Sequence, residues 1–166
     1  MVILGIDPGL ATVGYGVVDY NKNKFACIDY GIISTPPKLE FCDRLEMIYD
    51  GLDALIHRYS PSNMAIEQIF FNTNQKTAVA VSQARGVILL CAKKNHIAFG
   101  EYTPLQVKQA VVGYGRAEKT QIMAMVKNIL NLDKIPRPDD AADALAMAIC
   151  HGHTYGSGLG NLMKYR

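Results

Sequence analysis

Five acidic residues, in three groups, stand where a soluble chain gains little from charge. Val2–Asp7 is a nearly continuous apolar run that ends in Asp7, framed by Gly5 and by Pro8-Gly9. Met64-Ala65-Ile66-Glu67 repeats the arrangement, an apolar run delivering Glu67 near its end. Asp139, Asp140 and Asp143 open a stretch rich in alanine, and Asp143 sits among Ala141, Ala142, Ala144, Leu145 and Ala146. Burying an unpaired carboxylate is expensive. Two carboxylates ~4 Å apart also repel by roughly 4 kcal/mol at an effective dielectric of 20. Such a cluster would partly protonate unless cations neutralised it. Hard divalent ions such as Mg²⁺ prefer carboxylate oxygen and water, and no nearby Cys or His set points to zinc instead. Two such ions can activate a water and stabilise the leaving oxygen of a phosphodiester.

Each acid also has a structural reading. Asp7 could cap a turn, Glu67 could pair with a lysine, and Asp139, just after Pro138, suits a helix N-terminus. Taken together, the metal reading accounts for all of them at once. Spacing leaves two pairs open in the last group, since 140 and 143 share a helical face and so do 139 and 143.

The elements that would position these acids follow from periodicity. Val2–Asp7 reads as a central strand, followed by Val13–Tyr20 and Phe25–Thr35, with Asn21–Lys24 as a hairpin connection. Gly9 and Gly14 are expected to shorten the first reversal, and Pro36-Pro37 closes the meander. Helical spacing covers Leu39–Tyr59. A strand is expected over Met64–Ile69, a helix over Gln75–Lys94, a strand over Ile97–Tyr102 and a helix over Pro104–Val112. Further helices are expected near Glu118–Leu132 and Asp139–His151. The order implies one mixed sheet with helices on both sides, an α/β domain over residues 1–153, with 154–166 a Gly-rich flexible tail. If the strands ending in Asp7 and Glu67 are parallel neighbours, both acids emerge at one sheet edge, where ligands bind in open α/β sheets.

Bulk properties bound the rest. The chain has 166 residues, enough for one substantial domain, and a formal net charge of only +2. Lys108, Arg116, Lys119, Lys127, Lys134 and Arg137 gather in the second half, either as a basic surface for a polyanion or as a solvated face. Cys27, Cys42, Cys91 and Cys150 are scattered without metal-ligand spacing, consistent with reduced thiols. No apolar segment reaches transmembrane length and no signal-like N-terminus is present, so a soluble, cytoplasmic protein is expected. His151 and His153 are read as helix-terminal histidines.

The acids and their flanking sequences resemble the RNase H-like nuclease superfamily, and more finely the RuvC family of Holliday-junction resolvases. The segments GIDPG with GYGVV, AIEQIFF, QARGVIL, QVKQAVVGYGRAEKTQ and DDAADALAMAICH occur in that family's order across nearly the whole chain. The resemblance implies an RNase H-like α/β fold: a five-stranded mixed sheet, its second strand antiparallel, with helices on both faces. It implies a homodimeric Mg²⁺-dependent endonuclease, with two ions per site and Mn²⁺ able to substitute, that cuts four-way DNA junctions by paired nicks. Partnership with the RuvA–RuvB branch-migration complex is implied as well. Catalytic and metal-binding roles carry over to Asp7, Glu67, Asp140 and Asp143, with Asp140 selected over Asp139 by the family pattern, and Asp139 an auxiliary candidate. DNA-binding roles carry over to Lys108, Lys119, Phe70 and Arg85. For Phe70 the alternatives are stacking on junction bases or internal packing, and for Arg85 a phosphate contact or an ion pair. The helix Gln75–Lys94 is apolar over more than one face, as expected if it meets both the sheet and a partner subunit; cover by the C-terminal elements is the alternative.

Two rivals stand beside this reading. One is an actin- or hexokinase-like phosphotransferase, which would need a second domain and an adenosine-binding Gly-Gly segment that this chain lacks. The other is a junction-binding protein without catalysis, against which the complete acid set argues.

Overall fold

The computed structural model describes residues 1–68 and 75–156. The strands are β1 (Val2–Asp7), β2 (Thr12–Asn21), β3 (Lys24–Ser34), β4 (Asn63–Glu67) and β5 (Ala98–Tyr102). They form one sheet in the order β3-β2-β1-β4-β5. β2 runs antiparallel to β1 and β3, while β4 is parallel to β1 and β5, as expected of a meander followed by helix-linked crossovers. Lys22 and Asn23 both take positive φ in the β2–β3 hairpin, the backbone that a tight two-residue reversal requires.

Helices cover both faces. On one side lie α1 (Phe41–Tyr59) and α2 (Gln75–Lys94). They close over Leu4, Ile6, Val13, Val17, Met64 and Ile66, alternate residues of β1, β2 and β4. On the other side lie α3 (Pro104–Val112), α4 (Lys119–Ile129) and α5 (Asp139–Gly156). Here Ile3, Val18 and Ala65 meet Val107, Ile122, Leu145 and Ile149. α3 starts on a capping box, in which the Thr103 hydroxyl accepts from the Gln106 amide N–H and the Gln106 side chain accepts from the Thr103 N–H. No described helix is long and apolar enough to cross a membrane.

α5 is the organising helix. It lies directly on the backbone of β1 and β2, because the sheet offers glycine at the contact. A Cβ at Gly5 would run into the Ala144 carbonyl, one at Gly14 into the Asp140 backbone, and one at Gly16 into Leu145. Gly14 therefore does not shorten the first reversal, as its position suggested: it lies inside β2, opposite Asp7, and admits the first turn of α5. α5 also runs past the expected end at His151. Thr154, Tyr155 and Gly156 belong to it, so the tail expected from residue 154 does not begin there, and residues 157–166 lie outside the described part.

α2 packs on α1 and β5, and α5 is on the opposite face, so among the described residues the C-terminal helices do not cover α2. Its outer stripe, Val79, Gln83, Gly86 and Leu90, is exposed. Val79 and Leu90 are among the most exposed large apolar residues described, at 58% and 56%. A spacing of four, three and four residues puts all of them on one side of the helix.

Candidate active site

The register of two strands sets the centre of the site. β1 and β4 pair in parallel with Gly5 beside Ala65 and Ile6 beside Ile66, so Asp7 and Glu67 follow at the same level on adjacent strand ends. Strand side chains alternate between faces. Asp7 has the parity of Ile3 and Gly5, and Glu67 that of Ala65, so both acids face α5. The Gly14 approach places the first turn of α5 over Asp7, bringing Asp140 and, one turn on, Asp143 to the same sheet edge. Chain-distant acids meet because a glycine seam lets a helix settle onto the sheet.

A cavity of about 280 Å³ opens there. Asp7, Glu67 and Asp143 form its acidic wall, Lys108 from α3 and Lys119 from α4 its basic one, and Val107, Ile122 and Met147 an apolar flank. Asp140 is not part of the lining, but its charge is felt at Asp7. Burial, followed by the charges of Glu67, Asp143 and Asp140, pushes the Asp7 carboxyl up to about 7, against a smaller opposing pull from Lys119. Glu67 is also raised, by burial first and Asp143 second. These are the signs of negative charge gathered with too little compensation.

Lys119 supplies part of that compensation. Its ammonium donates to Asp143 Oδ2 at 2.9 Å and lies 3.4 Å from Asp139 Oδ2. Those acids, with Asp143 first, raise its own pKa. Lys119 is the first residue of α4, where the helix dipole disfavours a cation, so its acidic neighbours hold it there. Asp139 is shared with Arg137 on its other oxygen.

Among the described residues, no three Asp, Glu, His or Cys side chains close on a common point as a finished metal cage. The donor set nevertheless suits a hard divalent ion, being all carboxylate with no thiolate or imidazole in the cavity wall. The raised Asp7 carboxyl marks where added positive charge would be stabilising.

The remaining expected site residues are distributed as follows. Lys108 lines the cavity, half-buried. Phe70 lies outside the described residues. Arg85 forms an ion pair with Glu101 and reaches the Glu67 carbonyl from Nε at 3.4 Å, so of its two readings the ion pair is the one observed. It braces the end of β4 against β5, and a phosphate contact would compete with that role. His151 is buried rather than helix-terminal, its Nδ1 2.8 Å from the Tyr102 hydroxyl, and burial pushes it down to about 4.

Sequence reasoning missed the glycine seam and the pairing of Arg137 with Asp139. The first was visible as Gly5, Gly14 and Gly16 on one face of two strands, which meet Asp140, Ala144, Leu145 and Ala148 of the last helix. The second had only proximity to Asp139 to suggest it.

Similarity to known proteins agrees with this geometry. The family model described as crossover junction endodeoxyribonuclease RuvC matches residues 3–151. The crossover junction endodeoxyribonuclease RuvC of Halothermothrix orenii is 58% identical over 155 residues, 93% of this chain and 94% of that protein. That of Ruminiclostridium cellulolyticum is 57% identical over 163 residues, 97% and 98% of the two chains. Among solved structures, Thermus thermophilus RuvC superposes with a TM-score of 0.89 at 35% identity, covering 95% of this chain and 97% of that one. The same protein in complex with Holliday junction substrate gives 0.88 at 33% identity, with the same coverage. On this evidence, with the fold and the gathered acids already described, the chain belongs to the RuvC family of crossover junction endodeoxyribonucleases.

Proposed function

We propose that this protein resolves four-way DNA junctions by paired, symmetric, Mg²⁺-dependent nicks during recombination and repair. The observation that carries the reading is the in-register pairing of β1 with β4, which sets Asp7 beside Glu67 under the acidic first turns of α5. In this reading Asp7, Glu67, Asp140 and Asp143 would hold two Mg²⁺ ions, or Mn²⁺ in their place. Bound divalent cations supply Lewis acidity for water activation and charge neutralisation at the phosphate.

The chain's own groups do the remainder. The acids orient the attacking water in line with phosphorus, and the 3′ oxygen leaves, giving 5′-phosphate and 3′-hydroxyl ends. Lys108 and Lys119, on the opposite wall, face the developing negative charge on the phosphate oxygens. Phe70 is assigned to base stacking at the crossover, while Arg85 supports Glu67 from behind. A two-fold partner seated on the exposed stripe of α2 would pair two cutting sites on symmetric strands, since a closed two-fold assembly repeats one patch on both subunits. Coupling to the RuvA–RuvB motor and a cytoplasmic location complete the assignment.

The direct test compares a synthetic four-way junction with linear duplex of the same sequence, with and without Mg²⁺. Paired nicks confined to the junction and abolished by chelation are expected. Metal-independent cutting, or equal cutting of the duplex, would overturn the proposal.

A further inference from the structure

We infer that Asp139 is a positioning residue, the alternative acceptor that keeps the Lys119 ammonium at the cavity rim when Asp143 turns to a divalent cation. The inference rests on the metal-dependent reading of this same site. Lys119 Nζ is shared unequally, 2.9 Å from Asp143 Oδ2 and 3.4 Å from Asp139 Oδ2. Of those two acids, only Asp143 lines the cavity. The ammonium takes Asp143 Oδ2, so a divalent cation that draws on that oxygen displaces it.

Lys119 has a short path by which to yield. Asp139 lies one helical turn before Asp143 on the same side of α5, already within ion-pair distance. Its other oxygen is engaged by Arg137, which fixes the carboxylate so that Oδ2 remains directed at Lys119. Without Asp139 the ammonium would be left with Asp143 alone, opposed by the N-terminus of α4 on which it stands. Asp139 therefore eases metal entry without being a ligand, and keeps a cation beside Lys108 where the phosphate is to be bound.

A double-mutant cycle on Mn²⁺ affinity separates this role from ligation. Binding is read from the free-ion electron paramagnetic resonance signal, with full-length protein and no DNA. Asp139→Asn should weaken Mn²⁺ binding by roughly two- to five-fold, the scale of an exposed ion pair. Lys119→Met should tighten it by a similar factor. In the Lys119→Met background, Asp139→Asn should lose at least half of its effect. Asp139→Glu, which keeps the carboxylate, should stay near wild type, and melting curves should show all variants folded, as expected for exposed positions. An equal effect of Asp139→Asn in both backgrounds would make Asp139 a ligand or a general electrostatic contributor and overturn the inference. Absence of Mn²⁺ binding by wild-type protein would instead refute the metal reading itself.

Discussion

The two faces of the sheet are built by different rules. On the α1–α2 face, large aliphatic side chains interdigitate, with Leu4, Ile6, Met64 and Ile66 of the sheet packed against Ile48, Leu52 and Ile88 of the helices. On the α5 face the helix rests where side chains are missing, at Gly5, Gly14 and Gly16. The first arrangement resembles an ordinary core, whose tolerance depends on volume. The second brings helix backbone almost onto strand backbone, and it is the one that carries the acids. The difference teaches that chemistry here is positioned by the absence of atoms, while the opposite face provides cohesion and leaves the outer stripe of α2 exposed.

The largest expected effect lies on the α5 face. Asp7→Asn should reduce junction cleavage by about a thousand-fold or more, roughly 4 kcal/mol of barrier, while gel-shift affinity for the junction stays near wild type; retained Mg²⁺-dependent cutting would break the assignment. The same change should stabilise the metal-free protein. A carboxyl raised from 3.8 to about 7 holds its proton more tightly in the folded state. The Asp7 contribution to folding stability is therefore full below pH 3.8 and is lost as pH rises through about 7, by at most about 4 kcal/mol, and less for the portion of the carboxylate that water still reaches. Denaturant titrations of wild type and Asp7→Asn in chelator should diverge between pH 4 and pH 8, and parallel curves would contradict the gathered-charge picture.

Gly5→Ala comes next. The added methyl meets the Ala144 carbonyl, and neither backbone can give way cheaply. A loss of more than about 3 kcal/mol is expected, at the high end for single substitutions, measurable by urea unfolding. A loss under 1 kcal/mol would show α5 free to shift.

His151, on the same face, sets a smaller effect. Its folded pKa of about 4 lies below the ordinary 6.5, so its contribution is present above pH 6.5 and is lost as pH falls toward 4, by roughly 3 kcal/mol at most. A variant His151→Gln should flatten that acid limb.

The opposite face gives the smallest change within one protomer. Leu90→Glu, at an exposed position, should alter protomer stability by within about 0.5 kcal/mol, yet convert the proposed dimer to monomer in sedimentation velocity. A dimer that persists would remove α2 from the proposed interface.

Much of the fold was legible. β1, α2 and α3 begin and end where periodicity and Pro104 predict, and the mixed sheet with helices on both faces follows from element order. Asp7, Glu67 and Asp143 were recognisable because an acid inside an apolar run needs a reason. Less legible was what depends on three-dimensional proximity. Gly14 looked like a turn residue because glycine serves turns and close approach equally well. Arg85 could not be assigned until Glu101, a strand away, was seen beside it. Lys119 was marked for phosphate, but its partnership with Asp143 joins two helices that sequence spacing does not relate. The helix α5 outruns its expected end because the stretch from Thr154 onward is Gly-rich, which says nothing of packing, whereas Gly152 faces Phe25 and Tyr20 of the hairpin strands, where a larger residue would collide.

The pairing of β1 with β4 has a consequence for quality control. Sliding either strand by a single residue would turn one acid toward α1 and α2, leaving the other alone. If the two acids form the cutting site as proposed, a mis-threaded molecule is inert instead of indiscriminate. For a DNA-cutting protein inside a living cell, errors of assembly end in silence, and the chromosome is spared.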